Sequence, residues 1–480
     1  MRQIALCNVG NSDVAVNGVI IRPPRPAGEH HWQTYSEHNF SAPIIDAYAR
    51  YFEQHQIVLD CLILFDTDQA ENATTSVTDR YGVSLRDKDT WWFGKILERY
   101  LPERWGHVIR SVERRTIHNV NPSLYDDAMK AFGEQLSTIN HQNNTQYYVL
   151  AAGGTQAFNN ALQFKAIARF RENCFVLYKS EHSSAPYSLN IRKQLLDSFN
   201  IATAIQLIQQ HNFFGAITLL QGVVEQNIIQ LLWYAKYRED FDFKSAKNVL
   251  EQVHFNVDGS LRDLVHSIQN SAYNINHADR EFLLVELYYN AQIAYTNGRY
   301  VDFLGRVFRF QETVLRHVIE NSFNISTDYS KAHKAENLAK FNQILADDPI
   351  LHEYLENKQF AGNKLDYRHF SVPVLLALLD FLTKNPQQKY LAKKQVGIYT
   401  GLRELIIKLS NLSDMRNQSV IAHGFEGVSE DQIIKHLKLK SEQTPIDLLH
   451  DILAKIAIDV RESPFQQIQT VLIEKLYSLI

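Results

Sequence analysis

Tyr147-Tyr148-Val149-Leu150-Ala151-Ala152-Gly153-Gly154-Thr155-Gln156 is the stretch that decides the fold. Its first six residues form an apolar run with no polar alternation, the pattern of a strand covered on both faces. The run stops at two glycines and a threonine, and helical spacing begins at Gln156 and continues to Arg169. Paired glycines let backbone N–H groups come close to a ligand. Thr155 is placed to cap the following helix, whose free N–H groups and dipole favour a phosphate.

Working outward, the same grammar recurs. Gln3–Val9 is a β-like run ending in Gly10-Asn11-Ser12-Asp13, and Ile57–Phe65 is nearly all apolar and ends in Asp66-Thr67-Asp68-Gln69. Cys174–Tyr178 is a further strand, and His107–Val112 a weaker one. Helical stretches lie between them at Pro43–Gln54, Thr90–Tyr100 and Gln156–Arg169. Continuous apolar strands separated by helices imply a parallel, doubly wound α/β domain over residues 1–190. Ligands of such sheets bind beyond the carboxyl ends of the strands. The candidate ligand-binding residues are therefore Gly10, Asn11, Ser12, Thr67, Gln69, Gly153, Gly154, Thr155 and Gln156. The chain has neither a G-x-G-x-x-G loop nor a G-x-x-x-x-G-K-[ST] loop, which argues against a dinucleotide cofactor and a P-loop ATPase.

From Ile191 onward the pattern is helical, with no hairpin signal. Ile201–Gln210, Ala216–Tyr237, Phe282–Asn297 and Val301–Glu320 carry apolar residues at three- and four-residue spacing. Breaks fall at Asp258-Gly259, Asn297-Gly298, Asn324–Thr327 and Asn385-Pro386. The expected organisation is an α/β domain (1–190), a helical connecting region (191–330) and a second helical domain (331–480). The fold class is thus α/β plus all-α. Asn17–Phe40, with Arg22-Pro23-Pro24-Arg25-Pro26, reads as an inserted loop.

Composition limits the function classes. The 480 residues are 45% hydrophobic and 21% charged, with a net charge of −4, so any contact with nucleic acid must use a local patch. The three cysteines, Cys7, Cys61 and Cys174, have no metal-binding or redox spacing and read as small core residues of strands. No signal pattern opens the chain, and Val372–Leu382 is too short and too polar to span a bilayer. The expectation is a cytoplasmic protein with no membrane contact, no metal and no cofactor.

Ile398–His423 carries Leu402, Leu405, Ile406, Leu409, Leu412 and Met415 at helical spacing and holds Arg416-Asn417, then His423-Gly424. On one continuous helix Arg416 and His423 would share a face, about 10.5 Å apart along the axis. Metal-free RNA cleavage needs a base for the ribose 2′-OH, a cation for the charged phosphorane and an acid for the leaving 5′ oxygen. Histidine suits proton transfer near neutral pH and arginine offers a fork of donors to phosphate. Arg416, Asn417 and His423 are the catalytic candidates. Lys384, Lys389, Lys393, Lys394, Arg403 and Lys408 precede them against a single acidic residue, Glu404, within Lys384–Lys408, a basic stretch suited to an RNA backbone.

Arg416-Asn417 followed by His423-Gly424 resembles the R-x4-6-H motif of HEPN ribonucleases. Val9-Gly10-Asn11-Ser12-Asp13, Thr67-Asp68-Gln69, Asp89-Thr90 and Tyr148–Asn159 resemble the strand-end motifs of CARF domains. Together they resemble the CARF–HEPN ancillary ribonucleases of type III CRISPR systems. The resemblance implies a homodimer whose paired sensor domains bind cyclic oligoadenylate, a tetra- or hexa-adenylate ring, as an allosteric activator. It further implies a composite active site made by two R-x4-6-H segments, acting on single-stranded RNA to leave 2′,3′-cyclic phosphates and 5′-hydroxyls. Some relatives slowly cut their own activator; Asn11 stands where a hydroxyl residue is expected, while Ser12 and Thr155 remain. Two other readings fit parts of the chain: a nucleotide-sensing regulator whose helical part binds protein or nucleic acid without catalysis, and an antitoxin-neutralised HEPN toxin. Trp91 and Trp92 read as core residues, with stacking on adenine as the alternative.

Overall fold

The computed structural model describes residues 1–70, 83–151, 153–180, 182–183, 185–253, 263, 266–268, 280–327, 334–360, 362–385, 387–440, 442–460 and 463–480. The chain divides into two compact units, Met1–Phe199 and Asn200–Ile480.

The first unit is built on a six-stranded sheet. Its strands are β1 (Arg2–Asn8), β5 (Cys61–Asp68), β6 (Val112–His118), β7 (Thr145–Leu150), β8 (Cys174–Tyr178) and β9 (Tyr187–Leu189), in the spatial order β6-β5-β1-β7-β8-β9. All neighbours are parallel except β8 and β9. A small antiparallel sheet is formed by β2 (Ala15–Val16), β3 (Val19–Ile20) and β4 (Phe40–Ser41), with β2 in the middle. Helices α1 (Pro24–Gln33), α2 (Pro43–Gln54), α3 (Trp91–Trp105), α4 (Tyr125–Ser137) and α5 (Gln156–Phe170) complete the unit.

The unbroken apolar runs have a physical cause. Along β1, Ala5 and Cys7 point into one core with Tyr48 and Phe52 of α2 and Phe93 and Leu97 of α3. Ile4 and Leu6 point into the other, with Phe132 of α4 and Phe158 and Phe170 of α5. Both faces are covered, so the middle of the strand, Ile4–Cys7, is apolar throughout. Cys7, Cys61 and Cys174 are buried free thiols in β1, β5 and β8, as expected.

Three expectations in this unit need correction. The sixth strand is Val112–His118, beginning where the expected His107–Val112 ends. It is an edge strand with a mostly half-exposed, polar sequence, so its apolar signal is weak. Asn17–Phe40 is no irregular loop: it supplies β3, the first residue of β4 and α1. Arg25 ties that segment to the sheet, pairing with Asp68 at the end of β5 and with Asp89, the latter at 2.7 Å. Trp91 and Trp92 are only half-buried, with the Lys95 ammonium 4.0 Å from the Trp91 ring centre.

The second unit is helical around one continuous core. Helix α6 (Ile191–Gln209) spans the division at Phe199. The elements that matter below are α7 (Gln226–Glu239), α8 (Arg280–Thr296), α9 (Tyr300–Phe323), α10 (Val372–Lys384), α11 (Lys393–Ser410) and α12 (Ser413–Gln418). The expected single helix over Ala216–Tyr237 is two, Phe213–Leu220 and α7, because the chain turns at Gly222 with φ +77°. A two-residue hairpin, Gln359–Phe360 with Asn363–Lys364, occurs where no hairpin was expected. The break expected at Asp258-Gly259 lies outside the described residues. Among the described residues no helix is long and apolar enough to cross a membrane.

The chain leaves β1 toward β5 and β6, then returns to β7 and β8 on the other side. The switch point therefore lies between the ends of β1 and β7, where Gly10 meets the glycine pair. A Cβ on Gly10 would stand 2.0 Å from the Gly154 nitrogen. We expect Gly10→Ala to cost about 1–3 kcal/mol of stability through forced backbone displacement, read as a lower urea midpoint; an unchanged midpoint would show that the two loops are not held this close.

Candidate functional site

Each unit presents one candidate site. In the first, the crevice between β1 and β7 is bounded by Gly10-Asn11-Ser12 and Gly153-Gly154-Thr155. Gly153 and Gly154 both take positive φ, +89° and +73°, a conformation that a β-carbon resists. Gly154, Asn11 and Gln156 are exposed, and Ser12, Gly153 and Thr155 half-buried, so this rim is open to a ligand. Thr155 caps α5 as expected: its hydroxyl oxygen accepts from the Phe158 N–H at 3.3 Å, while its proton is donated to the Pro122 carbonyl. An amide chain stiffens the turn, from Asn8 to Asn159 (3.0 Å) and from Asn159 to the Gly153 carbonyl.

Thr67 and Gln69 do not reach this rim as free donors. Both are buried. Thr67 and Thr90 exchange backbone-to-hydroxyl bonds at 3.1 and 3.2 Å, pinning the start of α3 to the end of β5. The Gln69 amide donates to the Val120 carbonyl at 2.7 Å. Side chains committed inside the fold are poor ligand contacts.

Two residues absent from the expected set belong to the crevice. Asp13 is fully buried beneath it, accepts from the Gly10 N–H at 2.7 Å, and would lie 2.6 Å from a Cβ on Gly153. Burial pushes its carboxyl up to about 7, only partly opposed by the Gly10 N–H. Arg22, an exposed residue of the 17–40 segment, donates to the Ser12 hydroxyl and so places a guanidinium at the rim. The proline-and-arginine-rich run containing Arg22 was visible in the sequence, but its destination was not.

In the second unit, the segment bearing Arg416, Asn417 and His423 corrects the sequence reading. The helix expected to run unbroken over Ile398–His423 stops at Ser410, resumes as α12 and ends at Gln418. Ser419 is the cause. It is extended (φ −87°, ψ 168°) and fully buried, and its hydroxyl donates to the Arg416 carbonyl at 2.8 Å, one of the carbonyls a continuing helix would use. The chain then folds back. The Ala422 and Gly424 N–H groups donate to the Ser419 carbonyl, His423 N–H to the Asn417 carbonyl at 3.3 Å, and Glu426 N–H to the Gln418 carbonyl at 2.8 Å.

His423 is thus brought back beside Asn417 by a turn instead of sitting two helical turns away. Gly424 serves close approach: a Cβ there would lie 1.9 Å from the Gln418 carbonyl oxygen. Arg416, Asn417 and His423 are all exposed. The Arg416 guanidinium lies 5.0 Å from the centre of the Phe308 ring on α9, which orients it without neutralising it. Val420 and Phe425, also exposed, flank the set. The basic stretch before it is partly spent internally, since Arg403 and Lys384 both pair with Asp380 of α10. Among the described residues no group of three or more His, Cys, Asp or Glu is placed to hold a metal ion.

Residues 267–473 match the family model described as the Cas_Csm6 HEPN domain. Csm6 from Enterococcus italicus, solved bound to cyclic hexa-2′-fluoro-hexa-dAMP, matches over 100% of both chains with a TM-score of 0.50 and 11% identity. Over residues 267–473 the chain matches an HEPN domain, and over its whole length it shares a fold with that Csm6. No curated protein matches the chain. The Arg416–His423 turn falls inside the matched HEPN residues.

Two tests address the geometry. Between its ordinary value near 3.9 and about 7, native Asp13 keeps a proton that the unfolded chain releases, so stability falls as pH rises through that window, by up to ~1.4 kcal/mol per pH unit. Asp13→Asn, which keeps an acceptor for Gly10, should flatten that slope in urea titrations between pH 5 and 7; parallel slopes would contradict the burial cost. Gly424→Ala should displace the turn and lower any activity of the Arg416–His423 set by about a hundredfold, measured at a temperature where circular dichroism shows the variant folded. Full activity would show that the turn is not needed.

Proposed function

We propose that the protein is a metal-independent endoribonuclease switched on by cyclic oligoadenylate. The observation that carries the reading is the exposed Arg416–Asn417–His423 set, presented by one turn on a matched HEPN domain in a chain that also has an anion-ready glycine crevice. His423 takes the proton of a ribose 2′-OH or returns one to the leaving 5′ oxygen, according to which subunit supplies it. Arg416 holds the non-bridging oxygens of the phosphorane, and Asn417 positions the phosphate. Two copies in a homodimer supply both proton-transfer roles, and the exposed Val420 and Phe425 beside the set are suited to burial between them. The products are a 2′,3′-cyclic phosphate and a 5′-hydroxyl.

The activator's phosphates sit on the Gly153-Gly154 N–H groups and the start of α5, with Arg22 as a cation at the rim. Activation requires that the ring bind the cleaving arrangement of the dimer better than the idle one. The Csm6 neighbour was solved with cyclic hexa-2′-fluoro-hexa-dAMP, which makes cyclic hexa-adenylate the first activator to try and the tetra-adenylate the second. Slow cleavage of the activator within the crevice would fall to Ser12, whose hydroxyl is already held by Arg22. In this reading the protein acts in antiviral defence alongside a type III CRISPR complex.

A fluorescent single-stranded RNA incubated with the protein should be cut only when a cyclic oligoadenylate is added, and excess chelator should leave the rate unaltered. His423→Ala and Arg416→Ala should each lower the rate by about 10³-fold or more while ligand binding persists. Cleavage at the parental rate by His423→Ala would remove the catalytic assignment. Ligand binding with no cleavage by the parental protein would favour the regulator reading.

A further inference from the structure

Beside the turn that carries His423, the helical unit holds a cleft of about 990 Å³, and next to it a second of about 810 Å³. The two share Glu239, Asp240, Asp302 and Arg306 in their walls, so they form one double cleft. Its near end is closed by Ile421, two residues from His423, whose Cδ1 packs on α9 at Gly305; a Cβ there would be 3.3 Å away. Helix α9 turns Arg306, Arg309 and Arg316 toward the first cavity, and Arg280 of α8 joins them. The second cavity adds Lys236 and Arg299.

Most of these cations have carboxylate partners. Arg316 meets Glu312 at 2.8 Å, Arg309 meets it at 3.0 Å, and Arg280 pairs with Glu320. Arg306, at the junction of the cavities, differs. Its Nη1 donates to the Asp302 carbonyl at 3.3 Å, its Nε is buried with no partner, and among the described residues it forms no ion pair. Burial pulls its guanidinium below the ordinary arginine value. The Arg299 Nε is also buried without a partner, although its Nη2 holds Glu239 at 2.9 Å. Unmet guanidinium donors at the centre of an open cleft call for an acceptor that the fold itself does not supply. Phe241 in the first cavity and Phe214 in the second, the latter 56% exposed, offer ring faces along the same path.

We infer that the double cleft is a track for single-stranded RNA flanking the scissile phosphate, with a backbone phosphate seated on Arg306 and a base lying against Phe214. The inference rests on the nuclease reading for its direction, since the track leads away from the Arg416–His423 turn. Regular alternation of cations with aromatic faces is how single strands are held without sequence preference. The four wall carboxylates keep the binding weak and turnover open.

The test is fluorescence anisotropy with 2′-O-methyl RNA, which cannot be cut by 2′-OH attack, at lengths of about 20 and about 4 nucleotides. Arg306→Gln should weaken binding of the long RNA by about tenfold and reduce the log–log salt slope by about 0.7, the signature of one lost phosphate contact. The short RNA, which offers fewer nucleotides to the track, should bind the parent more weakly than the long one, and with cleavable RNA the loss caused by Arg306→Gln should fall on KM. Arg306→Lys should restore most of the affinity. Arg309→Gln, at a well-exposed position, should give a smaller loss and stands in if Arg306→Gln fails to fold. Long-RNA binding and salt slope equal to the parent's in both glutamine variants would overturn the inference, as would a parental protein that binds no RNA. Binding with the expected Arg306 dependence but without cleavage would leave the track standing and remove the nuclease reading. A cleft that takes a mononucleotide or a protein instead would leave the RNA isotherms untouched.

Discussion

The first unit depends on one close contact between main chains, that of Gly10 against the nitrogen of Gly154. No other residue type fits at Gly10, and positive φ restricts Gly153 and Gly154 in a second way. The contact closes the switch point of the sheet from below, with Gly154 itself exposed at the rim. Asp13 is the wedge that holds it, taking the Gly10 N–H on one side and touching Gly153 on the other. A buried carboxylate is costly to keep.

The helical unit solves a similar problem by a different route. A histidine on a continuous helix would have been fixed by helical pitch, one side chain above another. Ser419 ends the helix early, and Gly424 lets the chain return across the Gln418 carbonyl. The result is a short reverse turn in which Asn417 and His423 are hydrogen-bonded through their backbones. Phe308 holds the Arg416 guanidinium from behind without drawing off its charge. Both sites thus use glycine where backbone passes backbone, and both leave their polar groups pointing outward.

What could be read in the sequence follows from burial. Strands covered on both faces announce themselves, and β1, β5, β7 and β8 were all visible as unbroken apolar runs. The edge strand β6, with Glu113, Arg114 and Arg115 in its middle, was displaced by several residues. Helices with a regular apolar stripe were found nearly to the residue, as at Pro43–Gln54, but their interruptions were not. Gly222 and Ser419 were the available signals, and the apolar spacing around each ran on as if they were absent. The glycine rim and the Arg416–His423 set were legible because each is local in the chain. Asp13 under Gly153, Arg22 on Ser12 and Phe308 behind Arg416 were not, because nothing in a sequence brings residues far apart in the chain together.

The contact from Arg22 to Ser12 sets the charge at the mouth of the crevice from outside the sheet. The guanidinium belongs to an appendage of small strands and one helix, anchored by Arg25 on Asp68 and Asp89, and not to the sheet that forms the pocket floor. Charge at the pocket mouth is therefore adjustable without disturbing the parallel strands or their two cores. A change at exposed Arg22 alone can therefore alter how an anion is held there, while Tyr35 and Phe40 of the same appendage stay in the core beneath.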